Sequence, residues 1–339
     1  MKKTLRTLTL MVTTGPLAAC LHAQEQPEEH ANWFSFGPQF GLNLNASFNN
    51  VGNVNSGSPG PATGGGVNRN YTDGYVRVDS AGNTGGQTWN WGYQKASQVA
   101  GNTLTLHSVT GTGGGSLNQD ADPQGGFDFA FGRDFGQVAG GTWGWLGAFD
   151  FTKVSIQNNQ TLVGSGTLIS DAYNLGAVIP PTAPYNGSFN GPGPLLGDTP
   201  TRTTTFEALT VTGQRKLDAQ VFALRTGPYY EFAFSKRWSG RLSGGLALAV
   251  ADLDYSFNET VTIATGPTIN HTGSTSGAEF QAGGFVEGRL QYAVNPRLSF
   301  FAGAQFEYLG TFSKSAGGEQ AQLDMSSAVN VLFGVQWRF

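Results

Sequence analysis

Charge, cysteine and methionine are scarce in this chain. Charged residues make up 12% of 339 positions, about half the roughly 25% of ordinary soluble domains. The one cysteine, Cys20, rules out a disulfide framework and any site built from paired thiolates. No run of 18 apolar residues occurs, so no transmembrane helix is encoded. Beyond Arg6 there is no cluster of Lys and Arg, and the formal net charge is −4. Nucleic acid therefore has no electrostatic footing as a partner. What is abundant is Gly, with 50 residues, and Phe, with 24 against 3 Met. Mean hydropathy is nonetheless −0.21. A length of 339 residues would suit two soluble domains, but this composition points instead to a closed transmembrane β-barrel. Barrel strands carry apolar residues on one face only, which keeps the average hydropathy low.

The N-terminus reads as a targeting segment. Lys2, Lys3 and Arg6 precede a weak apolar stretch, Leu8 to Ala19, then small residues and the polar Gln24-Glu25-Gln26. This is the pattern of a secretory signal peptide over 1–23, to be set aside from fold reasoning. Cleavage after Ala23 leaves 16 basic and 23 acidic residues, a formal net of −7. A competing reading takes Leu17-Ala18-Ala19-Cys20 as a lipoprotein processing site with Cys20 acylated. Leu21 after the cysteine is atypical for that, and Leu21-His22-Ala23 is an acceptable cleavage site. The expected organisation is a signal peptide at 1–23, a periplasmic tail at 24–32 and one barrel domain at 33–339.

Period-two alternation dominates the remainder. From Phe34 to Phe48 every even position is apolar and every odd one small or polar. Such a segment has one oily and one wet face, and it is longer than the 5–6 residues usual in a soluble sandwich. The pattern recurs in pairs. Phe127–Phe135 and Trp143–Phe151 flank 136–142, Phe222–Phe234 and Trp238–Val250 flank Ser235-Lys236-Arg237, and Phe280–Val294 and Leu298–Tyr308 flank Asn295-Pro296-Arg297. A last run extends from Leu323 to Phe339. Eight antiparallel strands follow, all-β and up-and-down. Short turns alternate with long polar connections at 49–125, 154–216, 256–277 and 311–322, as in barrels with short periplasmic turns and long extracellular loops. Residues 71–78, 87–93 and 102–109 read as short strands that extend the sheet outward or form a small cap. Crossing by 87–93 and 102–109 would raise the count to ten. Residues 206–234 read as one strand far longer than the ~9–11 residues needed to cross, so the barrel is expected to project above the outer leaflet.

The last alternating residues, Val329, Val331, Phe333, Val335, Trp337 and Phe339, resemble the C-terminal assembly signal of bacterial outer-membrane barrels. With the basic and apolar start, the chain looks like the small outer-membrane β-barrel family, the class of the outer membrane protein A transmembrane domain. The resemblance implies export to the outer membrane, contact with its lipids, and handling by periplasmic chaperones and the barrel-insertion machinery through Phe333, Val335, Trp337 and Phe339. It carries over no catalytic residues. The connections are much longer than in the smallest members, which puts a purely structural role in doubt. Deleting Phe339 should lower the amount of assembled protein in the outer membrane; unchanged assembly would remove that role.

Candidate chemistry is thin. Three His follow the targeting segment: His30 before the first strand, and His107 and His271 in outer connections. Pairing His271 with Ser274 or Ser276 would suit a lipid-modifying or proteolytic barrel enzyme; a solvated polar loop is the plainer reading. Asn118, Asp120 and Asp122 have the alternate spacing of a calcium loop, but Pro123 and Phe129 stand where a Gly and a Glu belong. The run Gly111-Thr112-Gly113-Gly114-Gly115 has no Lys and no following helical pattern, so it is no phosphate loop.

Parity places Asp128, Asp150, Arg225, Glu231, Arg241, Glu287, Arg289, Glu307 and Arg338 in the lumen. Eight strands leave an interior just wide enough for side chains to fill. Charges of both signs should pair there, because a lone buried charge costs several kcal/mol. Counting back from the turn at 235–237 sets Glu231 opposite Arg241. Trp143, Trp238, Tyr292, Trp337 and Phe339 fall at turn ends and face outward, as an aromatic belt at the periplasmic boundary. The expected function is display of large surface loops for adhesion, protection or envelope integrity, without catalysis or cofactor, and with the loop ligand unidentified. A small channel or porin, or a barrel enzyme, are the alternatives.

Overall fold

The computed structural model describes residues 31–339 except 114 and 122. The expected signal peptide, Cys20, residues 24–30 of the tail with His30, and Gly114 and Asp122 lie outside the described residues.

Eight antiparallel strands close into a ring. They are β1 (Asn32–Leu42), β2 (Gln124–Val138), β3 (Gly141–Asn158), β4 (Thr201–Ala233), β5 (Trp238–Ile263), β6 (Thr268–Ala293), β7 (Leu298–Tyr308) and β8 (Ala328–Arg338). Each pairs with the next in sequence, and β8 returns to β1. The fold is the expected up-and-down eight-stranded barrel. The ten-strand alternative is wrong: Trp91–Tyr93 joins a small separate sheet, and Thr103–Thr112 pairs with Leu162–Asn174 beyond the ring.

The outer surface shows how long the strands are relative to a membrane. On β5 the outward residues run Trp238, Leu242, Leu246, Leu248, Val250, then change to Asp252, Asp254, Ser256 and Asn258. At about 3.4 Å per residue and a tilt of about 40°, Trp238 to Val250 covers roughly 30 Å, the hydrocarbon thickness of a bilayer. Phe151 packs between Phe222 and Phe127 at the same height, with tilted rings whose centroids lie 5.1 and 5.4 Å from its own. The inward face changes in the opposite sense. Below, it carries Arg241 and Ser243; above, it carries Ala247, Ala249, Ala251, Leu253, Tyr255 and Phe257, all buried. Beyond the membrane the strand has water outside, so its apolar side chains turn inward without any change of parity. The segments 154–216 and 256–277 are therefore largely strand, and only 175–200 remains a long connection. Most of 256–277 is the β5–β6 hairpin itself, which turns at residues 264–267, and the polar residues seen there are its solvent face.

The first and last alternating runs are also divided. β1 ends at Leu42, and Asn43 adopts φ 59°. Up to that point even positions such as Phe36 and Phe40 face outward, whereas Leu44, Ala46 and Phe48 are buried. The left-handed residue exchanges the faces, which Asn tolerates better than other non-glycine residues. The segment Asn45–Asn49 then joins Leu117–Asp120, Glu319–Asp324 and Thr311–Ala316 in a second sheet. Leu323 and Met325 belong to this upper part and not to β8. The β2–β3 turn is shorter than 136–142: Ala139 and Gly140, at φ 51° and 81°, form a two-residue turn of the kind that follows strand twist.

Above the ring, the sheet continues from the upper half of β4 through Leu162–Asn174 and Thr103–Thr112 to Val54–Ser56. One apolar core fills the extension, from Leu44 and Phe48 through Val109, Leu209 and Val211 to Phe312 and Leu323. A smaller core in the cap gathers Tyr71, Val76, Trp91, Tyr93, Leu104, Leu106, Tyr173 and Leu196.

Candidate functional site: a filled lumen beneath a folded platform

Side chains fill the lumen at successive heights. Nearest the short turns, Glu231 lies directly opposite Arg241. Arg241 Nη2 and Nε donate to Glu231 Oε2 at 2.6 and 3.2 Å. Arg338 joins from β8, with Nη2 at 3.1 Å from both carboxylate oxygens. The Arg241 guanidinium sits 3.8 Å over the Trp33 ring and 4.9 Å from the Tyr229 ring. The Trp33 indole donates to Tyr229 Oη at 2.9 Å, and Tyr229 in turn donates to Asp134. Trp33 fits because Gly132 faces it: a Cβ on Gly132 would lie 2.2 Å from the indole. Gly132→Ala should displace the indole and lower barrel stability by about 1–3 kcal/mol, measured as a reduced urea midpoint in lipid vesicles. An unchanged midpoint would show that the indole has room to shift.

At mid-height Arg225 is the hub. It contacts Asp128, Asp150 and Glu287, with Nη2 2.8 Å from Asp150 Oδ1 and Nη1 3.0 Å from Glu287 Oε2. Arg289 reaches Asp128 Oδ1 at 2.8 Å, Ser35 Oγ at 2.8 Å and Glu287. Glu307 makes no ion pair among the described residues; Gln305 and Asn330 approach its Oε2 at 3.4 and 3.5 Å. Acids here outnumber arginines, unlike the lower layer, where Glu231 and Asp134 face Arg241 and Arg338. Above lie the apolar side chains of Ala223, Ala247, Ala249 and Ala251.

The belt residues Trp143, Trp238, Tyr292, Trp337 and Phe339 lie at the turn ends. Trp238 and Tyr292 are paired across β5 and β6, with centroids 5.0 Å apart. Phe333, Val335 and Trp337 face outward on β8. The Phe339 backbone exchanges hydrogen bonds of 2.8 and 3.0 Å with Asn32, joining the chain end to β1.

The extension holds a cluster that the sequence reading missed. Arg215 (β4) pairs with Glu259 (β5), and all three of Arg215, Glu259 and Glu319 are fully buried. The Gly52 N–H donates to Glu259 Oε2 and Glu319 Oε1 at 3.1 and 2.8 Å. Tyr255 Oη donates to Glu319 Oε2 at 3.0 Å. His271 Nδ1 lies 3.3 Å from Glu319 Oε1 and 4.0 Å from Glu259 Oε2. Burial first, and then the adjacent Glu319, push the Glu259 carboxyl up to about 7, while Glu319 also holds His271 above its usual value. The available signal was the continued alternation Leu253, Tyr255, Phe257, Glu259, Val261, Ile263, taken for a polar loop because only its outward residues are hydrophilic.

The Ser–His reading of His271 is overturned. Ser274 and Ser276 occupy the outward positions of β6, whereas His271 faces inward. His107, on Thr103–Thr112, instead pairs with Asp73: Nδ1 to Oδ2 is 2.6 Å, and its backbone N–H donates to Asp73 Oδ1 at 2.7 Å. Ser108 is committed to the Ser56 carbonyl at 2.7 Å. Nearby, buried Asp171 accepts from Arg202 at 2.6 and 2.7 Å and from Tyr71 at 2.5 Å. Asn118 and Asp120 lie on a strand, not in a loop.

No family model matches the chain, and no curated protein does. Solved structures align along most of it at low identity. The attachment invasion locus protein Ail of Yersinia pestis is 10% identical over 92% of this chain and 99% of its own, with a TM-score of 0.31. The outer membrane protease OmpT of Escherichia coli is 10% identical over 94% and 99%, with a TM-score of 0.30. The toluene transporter TodX of P. putida is 8% identical over 93% and 91%, with a TM-score of 0.18. The fold is read from the ring itself. With eight paired strands, an apolar surface of membrane height and a charged interior, the chain has the fold of a membrane-spanning antiparallel β-barrel.

Proposed function

We propose that this protein is a closed outer-membrane barrel whose task is to hold a folded platform at the cell surface, for adhesion or envelope protection, without conducting ions and without catalysis. The observation that carries this reading is the continuity of strand and core. β4 to β6 run unbroken from the periplasmic turns into the extension, and one apolar core occupies the lumen above the charged layers. Such a core stiffens the exposed part and blocks a water path. Adhesion or protection needs a stable surface; a porin needs an open lumen. Among the described residues, the ring of His107 hydrogen-bonds to Asp73 alone, and no serine hydroxyl reaches it.

Reconstitution into planar bilayers tests the channel alternative: the wild type should show no single-channel steps, and reproducible steps would overturn the closed reading. In whole cells, protease added outside should cut only in the extension. The protein should fractionate with outer membranes and migrate on gels in a heat-modifiable way; recovery from the soluble periplasm would defeat the localisation. Hydrolysis of lipid or peptide that is lost in His107→Ala would restore the enzyme reading.

A further inference from the structure

We propose that Glu259, His271 and Glu319 form a binding site for a divalent transition-metal cation, of which Zn²⁺ is the best fit, inside the extracellular extension. Three independent features of the geometry converge on it.

The first is the orientation of the imidazole. His271 Nε2 lies 3.1 Å from the Gly317 carbonyl oxygen. A carbonyl only accepts, so Nε2 carries a proton, and in the neutral imidazole Nδ1 presents its lone pair. That atom is buried and has no hydrogen-bond partner, yet it faces two carboxylates. Donation of the far N–H to a backbone carbonyl is how a metal-ligating histidine is held in its tautomer.

The second is spacing. One donor atom from each of the three residues lies within 4.8 Å of the others, and Nδ1 to Glu319 Oε1 is 3.3 Å. Tetrahedral bonds of about 2.0–2.2 Å to nitrogen and oxygen imply ligand separations of about 3.3–3.6 Å. Glu259 Oε2, 4.0 Å from Nδ1, needs only a small approach. One imidazole and two carboxylates are a mixed nitrogen and oxygen set that suits Zn²⁺, whereas Ca²⁺ and Mg²⁺ favour all-oxygen sites with more ligands.

The third is the division of labour within each carboxylate. Glu259 Oε1 is taken by Arg215 and Glu319 Oε2 by Tyr255; Oε2 and Oε1 respectively face His271 and share the Gly52 N–H. With His271 neutral, two buried carboxylates against one guanidinium carry a negative charge that either a metal cation or a proton would offset. The three ligands come from the β5–β6 hairpin and from the hairpin ending at Asp324, and the loop containing Gly52 is bonded to both carboxylates. A bound metal would therefore staple separate parts of the extension together.

The test uses the refolded full-length barrel, stripped with chelator, in detergent at neutral pH. Titration with ZnCl2 by calorimetry should show one saturable site, and CoCl2 should produce visible absorption bands of tetrahedral intensity. His271→Ala and Glu319→Gln should each weaken binding at least about tenfold, and Tyr255→Phe about tenfold, as outer-shell partners do. His107→Ala, which alters the other buried histidine pair, should bind as wild type does. Heat-modifiable migration reports whether each variant is folded, and the Co²⁺ spectrum needs no variant at all. Absence of saturable binding to the wild type, as expected if a proton alone occupies the cluster, overturns the proposal. So does binding that survives in both ligand variants.

Discussion

Arg225→Met should be the most damaging single change in the barrel. The guanidinium is fully buried and contacts three carboxylates from β2, β3 and β6. Removing one member of a buried ionic group leaves uncompensated charge and costs about 3–5 kcal/mol; here Asp128, Asp150 and Glu287 all lose a partner. Arg289 still reaches Asp128 and Glu287, so Asp150 is the group left most exposed to the loss. The urea midpoint of the barrel in lipid vesicles should fall, and Asp150→Asn added to Arg225→Met should recover part of the fall. A midpoint within error of wild type would mean that water reaches this layer and that the lumen is not filled as described.

The second large effect is coupling at the lower layer. Glu231→Gln and Arg241→Leu should be strongly non-additive, since the pair shares bonds of 2.6 and 3.2 Å. Each single change leaves a charge in a narrow part of the lumen, and the double change leaves none at that pair. Two structural details refine the expectation. Arg338 also binds Glu231, so Glu231→Gln frees two cations while Arg241→Leu leaves Glu231 one partner. Arg241 further loses its stacking on Trp33, worth roughly 1–2 kcal/mol when desolvated. Arg241→Leu and Glu231→Gln should each cost about 3 kcal/mol or more, and the double variant clearly less than their sum. Additive effects would refute the pair and, with it, the β4–β5 register.

That register was readable because short turns leave few choices. Ser235-Lys236-Arg237 is bounded by Phe234 and Trp238, and a slip of one residue would put Arg241 against lipid. The outward aromatics of β2, β3 and β8 were equally legible, since only a membrane tolerates so many exposed Phe and Trp on one face. Trp33, Tyr229 and Asp134 escaped notice. Trp33 continues the first alternation on its inward side, and nothing local marks an indole as lumenal when Trp143 and Trp238 face lipid.

The sequence by itself determined the class of the protein, the eight crossings, the face of each residue within the membrane, and the Glu231–Arg241 opposition. These depend on period two and on short connections, which are local. The sequence also indicated that the barrel projects beyond the membrane, through the over-long strand at 206–234; tertiary structure decided how the chain above Val250 is arranged. There the strands of β4 to β6 keep their parity while the surroundings change from lipid to water, so the face that was charged becomes apolar and the face that was oily becomes hydrophilic. Composition averaged over both faces reads such a segment as loop. Asn43 does the converse, keeping the pattern of apolar even positions while exchanging the side they face. Glu259, His271 and Glu319 meet because the Gly52 loop and two hairpins converge across 207 and 267 residues of sequence, and contacts of that range leave no periodic mark in the chain.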